Sequence, residues 1–321
     1  MKTVKYIAAL TAVCAMNAAV QAAAPAEIVI PGERIIPESL TSSKDGSVII
    51  GSVGARTIWR ARPGAALAEA WILPDTDGMQ AIFGVLADDK SKTLYACSNL
   101  LSPPPAGGAP VPSTLYTFNL KTGAPKGHYA LPSPGAFCND IAVDGDGNAY
   151  VTDTNNMLVS RLAKRGKQVE VWAGADGAFG PKGGVLDGIA FLDGRLYVNT
   201  LATNKLFAVT IGKDGTAIKS VEIKLDAAIE RPDGMRSFGK NGLLVVEGGG
   251  PGRLSRVTIS ADAGKRVIIK EGFPEGPVGV TVVGTTAYVV EGQLSVLRAP
   301  PGTPPAPPKP FKATAVEVGK P

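Results

Sequence analysis

Histidine is almost missing from this chain: His128 is the single copy in 321 residues. That scarcity removes several chemistries at once. A Ser-His-Asp triad, a histidine-rich zinc site, a histidine-dependent quinoprotein dehydrogenase and a histidine-assisted lactonase all need an imidazole at the reacting centre. His128 lies in "GHYALP", which reads as an outer strand away from any shared axis. Cysteine is nearly as scarce. Cys14 falls in the N-terminal segment, which leaves Cys97 and Cys138. Two cysteines make no disulfide scaffold, and they are compatible either with one bridge or with two separate buried thiols. Aromatic residues are 6% of the chain and the formal charge is only +5, without clustered Lys and Arg, so a nucleic-acid surface is not expected. Beyond the first two dozen residues no apolar run is long enough to cross a membrane, and no stretch sustains a helical period.

The exception at the N-terminus has its own pattern. "MKTVKYIAALTAVCAMNAAVQAAAPA" opens with two lysines, continues apolar and ends in small residues. That order predicts a signal peptide over residues 1–24, cleaved near Ala22 to Ala24, and a periplasmic or secreted mature protein. Cys14 follows Val13, which argues against a lipoprotein. Removing Lys2 and Lys5 lowers the formal charge from +5 to about +3, ordinary for a soluble protein.

What the chain has in abundance is 39 Gly and 26 Pro, the composition of many short strands joined by tight turns. The stretches "PESLTSS", "CNDIAVD", "LDGIAFL" and "PDGMRSF" share one layout: a polar head, a small or polar residue, then an apolar strand. "FGVLADD" and "VGVTVVG" keep the strand with an apolar head. The six heads, Glu38, Phe83, Asn139, Asp187, Asp233 and Val278, are spaced by 45, 56, 48, 46 and 45 residues. Each opens an inner A strand, a turn such as "DGDGN" or "LDGR", a B strand such as "NAYVTDT", and a C strand such as "LYTFNL". Most units add a D strand. Four strands repeating at this period predict an all-β fold: a six-bladed β-propeller of four-stranded antiparallel blades around a central channel, over residues 25–299. In the last unit "QLSVLR" reads as the C strand. Its missing outer strand is expected from the N-terminal "AEIVIPG" in preference to the C-terminal "FKATAVEV". Residues 300–321 then form a proline-rich tail. "VDGDGN" imitates a calcium loop but lacks its twelfth-position Glu, and reads as a hairpin turn.

In such a fold the six A strands start at one mouth of the channel, so the heads form a ring. Four of its members are oxygen donors. Three carboxylates packed together repel one another, and a divalent ion relieves that repulsion. Glu38, Asn139, Asp187 and Asp233 are therefore the candidate metal ligands. All-oxygen ligation suits Ca²⁺ first, with Mg²⁺ or Zn²⁺ as alternatives. The B strands end at the same mouth, which puts Asp153, Asn199 and Glu247 forward as substrate-binding residues or as solvent-facing strand ends. The insert "LLSPPPAGGAPVPS" is placed there too, as a lid or a stiff surface loop.

The ring resembles that of the senescence marker protein/gluconolactonase/regucalcin family, six-bladed propellers that hold one divalent ion in the channel. The resemblance runs over the whole mature chain. It rests on Glu38 in "PESL", Asn139 in "CNDIAVDGDGNAYVTDT" and Asp233 in "RPDGM". Asp187 departs from it, standing where the family usually has Asn; the extra carboxylate is expected to tighten a hard cation. "PES" also replaces the Gly-Glu-Gly-Pro-type run of many members, which leaves the substrate open. The resemblance implies a metal-dependent hydrolase of a sugar lactone or similar small ester, with Asp233 as catalytic base or as the residue that orients the attacking water. A non-catalytic propeller that binds a ligand or protein around a structural ion is the alternative, and organophosphate hydrolysis is a third. The expected partner is a small molecule met by a monomer, with neither nucleic acid nor membrane insertion.

Overall fold

Short apolar runs separated by Gly- and Asp-rich turns let each segment pair most easily with the next, and the chain forms successive antiparallel meanders. The structure is a computed structural model that describes residues 24–101, 111–296 and 307–321. Nearly all of the predicted signal peptide, most of the "LLSPPPAGGAPVPS" insert and much of the proline run lie outside the described residues.

The six sheets are the six blades of a propeller. From the inner A strand outwards, blade one comprises Pro37–Ser42, Val48–Ser52, Ile58–Ala61 and Glu69–Ile72. Blade two comprises Ala81–Asp88, Thr93–Asn99, Thr114–Asn119 and Pro125–Ala130. Blade three comprises Cys138–Val143, Ala149–Asp153, Leu158–Leu162 and Val169–Ala173. Blade four comprises Leu186–Leu192, Arg195–Thr200, Lys205–Ile211 and Ala217–Glu222. Blade five comprises Pro232–Phe238, Gly242–Glu247, Arg253–Ser260 and Ala263–Glu271, with the short Lys224–Leu225 added in parallel at its edge. Among the described residues there is no α-helix, and no helix long and apolar enough to cross a membrane.

Blade six corrects one expectation. "QLSVLR" is not its C strand: Leu294–Val296 form a single 3-10 turn. The C position is taken by Phe311–Glu317, from the segment expected to be tail. The N-terminal Glu27–Ile30 then pairs with it as the outer strand, so both termini enter the sheet. Burial explains the choice. Phe311 and Ala313 are buried, and they join Ile28 and Ile30 in the apolar cluster between blades six and one.

Alternating strand residues fill six such clusters, one at each junction between neighbouring blades. Each large side chain buried there contributes about 1.5–3 kcal/mol relative to exposure. The "VDGDGN" turn is built as the sequence suggests. Asp144 Oδ1 accepts the backbone N–H groups of Asp146, Gly147 and Asn148 at 2.9, 2.8 and 2.9 Å, closing the A–B hairpin of blade three. His128 lies on the outer strand of blade two, 3.0 Å from Asp77.

The closure makes a prediction. Phe311→Ala removes a ring that is 1% exposed at the only junction joining the two termini, and should destabilise the protein by about 3–5 kcal/mol. Denaturant unfolding checks it; an unchanged midpoint would mean that Phe311–Glu317 does not close the ring.

Candidate functional site

Every A strand breaks register with its B strand at the same place. The shifts lie between Pro37 and Ser39, Ile82 and Val85, and Cys138 and Ile141. They recur between Leu186 and Ile189, Pro232 and Met235, and Pro277 and Gly279. The residues enclosed include the six heads read from the sequence. A bulge releases a residue from the in-out alternation of a strand and re-aims its side chain. Two residues upstream, Ile36, Val185 and Arg231 all adopt left-handed backbone, with φ of 47°, 59° and 50°. For a non-glycine residue that conformation costs about 1–2 kcal/mol, so strain is concentrated at the ring. The A strands also approach closely: a Cβ on Gly84 would lie 2.2 Å from the Asn139 carbonyl oxygen, and one on Gly234 2.5 Å from that of Val278.

The channel mouth opens into a cavity of about 1010 Å³ lined by Glu38, Phe83, Asn139, Asp187 and Asp233. Val278 is instead absorbed into the apolar cluster of blades six and one. Glu38, Asn139 and Asp187 are 8, 6 and 5% exposed, so the ring sits in a low-dielectric floor rather than on a wet rim. Burial pushes the Glu38 carboxyl well above the usual range, and Asp233, Asp187 and Asp140 push it further while Arg236 opposes them. Burial, then Asp233 and Asp140, raise Asp187, against a hydrogen bond from Asn139. Burial pushes Asp233 up to about 7; the Gly234 N–H, donating to its Oδ1 at 2.9 Å, and Arg231 pull the other way. Asp187 and Asp233 are electrostatically coupled, and two like charges this close oppose each other's ionisation when no cation is bound. The Asn139 amide is oriented by donating to Thr154 Oγ1 at 3.0 Å, and Thr154 donates to the Leu186 carbonyl at 2.7 Å. Among the described residues no three His, Cys, Asp or Glu side chains form a ready-made metal cluster. Glu38, Asn139, Asp187 and Asp233 all line the same cavity, and the three carboxyls act on one another through space.

Asp153, Asn199 and Glu247 do not line this cavity; all three are fully buried. They do not face solvent, and they hold the lead-in to the ring. Asp153 accepts the Phe137 N–H at 2.9 Å. Asn199 accepts the Gly188 N–H at 3.1 Å and donates to the Asp233 carbonyl at 2.7 Å, tying two bulges together. Glu247 accepts the Glu230 N–H at 2.7 Å, Arg266 Nε at 2.8 Å and the Ser255 hydroxyl. The strand ends do reach the mouth, but backbone groups in and just before the bulges of blades three, four and five need partners, and these side chains supply them.

Sequence reasoning missed the feature directly below the ring. Arg236 crosses the channel from blade five to Asp140 of blade three, Nη1 to Oδ2 at 2.8 Å. Its other nitrogen donates to Ser39 Oγ, the Leu40 carbonyl and the Val85 carbonyl at 3.3, 3.3 and 3.1 Å, on blades one and two. The Ile189 N–H of blade four donates to Asp140 at 3.3 Å. One buried ion pair thus links five blades, and losing one partner of such a pair typically costs about 3–5 kcal/mol. The signal was present. Aligned by their heads, four blades carry glycine where blade three has Asp140, and no other blade has a charge where blade five has Arg236. Cys97 and Cys138 resolve as a disulfide with Cα atoms 5.2 Å apart, fastening the residue before Asn139 to the B strand of blade two.

No family profile matches the chain, and no curated protein matches it in sequence. Solved structures do match. A putative gluconolactonase is 16% identical with a TM-score of 0.62, covering 94% of this chain and 98% of that one. Regucalcin, described as a calcium-binding protein, from Agrobacterium tumefaciens is 15% identical with a TM-score of 0.58, covering 92% and 98%. Virginiamycin B lyase from Staphylococcus aureus is 19% identical with a TM-score of 0.58, covering 83% and 80%. At these identities the likeness is one of fold alone.

The ring's electrostatics set a pH dependence. The carboxyls have higher pKa values folded than unfolded, so the native state holds protons that the unfolded chain has lost. Without a divalent cation, this contribution to stability should be present near pH 4 and be lost as pH rises towards about 7, the folded value of Asp233. Melting in chelator at pH 5 and pH 7.5 tests it, with Asp233→Asn as control. The wild type should lose more on going to pH 7.5 than the variant does; equal losses would contradict the coupled ring.

Proposed function

We propose that this chain is an exported, divalent-cation-dependent hydrolase of a lactone or similar small ester, a member of the senescence marker protein/gluconolactonase/regucalcin family, acting in the periplasm or outside the cell. The observation that carries this reading is the convergence of Glu38, Asn139, Asp187 and Asp233 at one channel mouth, at the floor of a cavity wide enough for a small organic substrate. The fold likeness to a putative gluconolactonase and to a calcium-binding regucalcin supports it.

The residues fit a hard cation. Their donors are all oxygen, and their buried carboxyls raise one another's pKa, a penalty that a bound positive charge removes. Glu38, Asn139, Asp187 and Asp233 would hold the ion, with Ca²⁺ the best match and Mg²⁺ or Zn²⁺ as alternatives. When bound, the ion supplies Lewis-acid polarisation of an acyl oxygen. The chain's own residues do the rest. Asp233, fixed in orientation by the Gly234 N–H, takes a proton from the attacking water. Water adds across the acyl C–O bond, which breaks to give a hydroxyl and a carboxylic acid that ionises at neutral pH. The Asp140–Arg236 pair underneath closes the floor, so substrate enters and product leaves by one mouth.

A lactone panel assayed with Ca²⁺ and with chelator tests this. Turnover should require the cation and fall by at least about 100-fold in Asp233→Ala while the circular dichroism spectrum is retained. Binding of the ion without turnover of any lactone or ester would favour a ligand-binding propeller instead.

A further inference from the structure

The walls above the ring differ from its floor. On blades two and three, Phe83 and Phe137 meet edge to face with ring centroids 4.7 Å apart, and Leu100 and Leu101 extend the same side of the cavity. Blade five stands opposite blade two in a ring of six, and there the cavity edge carries Arg231.

Several polar side chains in between are already engaged in part. Asn99 donates to the Cys138 carbonyl at 2.8 Å and accepts its N–H at 3.1 Å. Asn155 donates to the Gly135 carbonyl at 2.9 Å, and Gln80 to that of Gly78 at 3.0 Å. Arg56 pairs with Asp75. A polyhydroxylated sugar placed here would press hydroxyls against aromatic and aliphatic carbon, leaving them without partners at a cost for each.

Arg231 and Arg34, both in the cavity lining, enter no ion pair among the described residues, whereas Arg236, Arg253 and Arg266 are paired, and of the two only Arg231 flanks the head Asp233. The Arg231 backbone is clamped on both sides: its N–H donates to Asn204 Oδ1 at 2.8 Å and its carbonyl accepts the Gly248 N–H at 2.9 Å. The left-handed turn does not call for arginine, because the equivalent positions of other blades hold Ile36, Val185 and Gly276. Arg231 lines the same cavity as Asp233, two residues along the chain, which places it beside the reacting end.

We infer that the cavity selects an amphipathic acid, with an aryl or alkyl body against Phe83 and Phe137 and a carboxylate held by Arg231, rather than a sugar acid. The inference rests on the hydrolase reading in that such an acid is the ring-opened form of an apolar lactone. The selectivity of the walls is measurable without turnover.

The experiment is calorimetric binding of three probes that no hydrolase converts: 4-phenylbutyrate, gluconate and 4-phenylbutan-1-ol. 4-Phenylbutyrate should bind at least about tenfold tighter than either of the others. Arg231→Gln should remove about tenfold of its affinity and leave the alcohol unchanged, while Phe83→Ala weakens both aryl probes. Gluconate binding as tightly as 4-phenylbutyrate, or an Arg231→Gln variant that binds it unchanged, would overturn the inference. Selective aryl-acid binding alongside failure to hydrolyse any lactone would support this selectivity and count against the hydrolase reading alone. Lactone turnover without that selectivity would do the reverse.

Discussion

The mutual repulsion of Glu38, Asp187 and Asp233, buried together where six strands converge, is the constraint on which the site depends. A fold does not bring three carboxylates into a low-dielectric floor without compensation. In this chain the compensation has two parts. Arg236 opposes the rise at Glu38 from below while pairing with Asp140, and the ring holds protons, or the divalent cation proposed for it, above.

The scaffold around the ring is organised to keep these groups in place. Bulges aim the heads inward, left-handed residues set the approach to three of them, and fully buried strand-end side chains take up backbone groups in and just before three of the bulges. The disulfide between Cys97 and Cys138 fixes the residue beside Asn139. The strain and polar burial are offset elsewhere, in the six apolar junctions and in a last blade that draws strands from both termini.

Much of this was legible in the sequence. The spacing of the heads defines the number of blades, and the head positions coincide with the bulges because a polar residue before an apolar strand marks the point where alternation is broken. What was not legible depended on pairing across long separations. That Phe311–Glu317 displaces "QLSVLR" from the last sheet follows from burial against Ile28 and Ile30, nearly 300 residues away. Asp153, Asn199 and Glu247 end their strands at the expected mouth but are buried behind the cavity lining, since strand order fixes which end a side chain occupies and not whether it turns inward. The Asp140–Arg236 pair could have been found by comparing the units row by row, because each charge stands alone in its row.

Calcium titration of the protein by calorimetry, wild type beside Asp187→Asn with Asp233→Asn, tests the central claim most directly. One ion per chain in the wild type, with affinity lost in the double variant while the fold is retained, is the predicted result. No binding by the wild type, or unchanged binding by the variant, would contradict a cation-compensated ring.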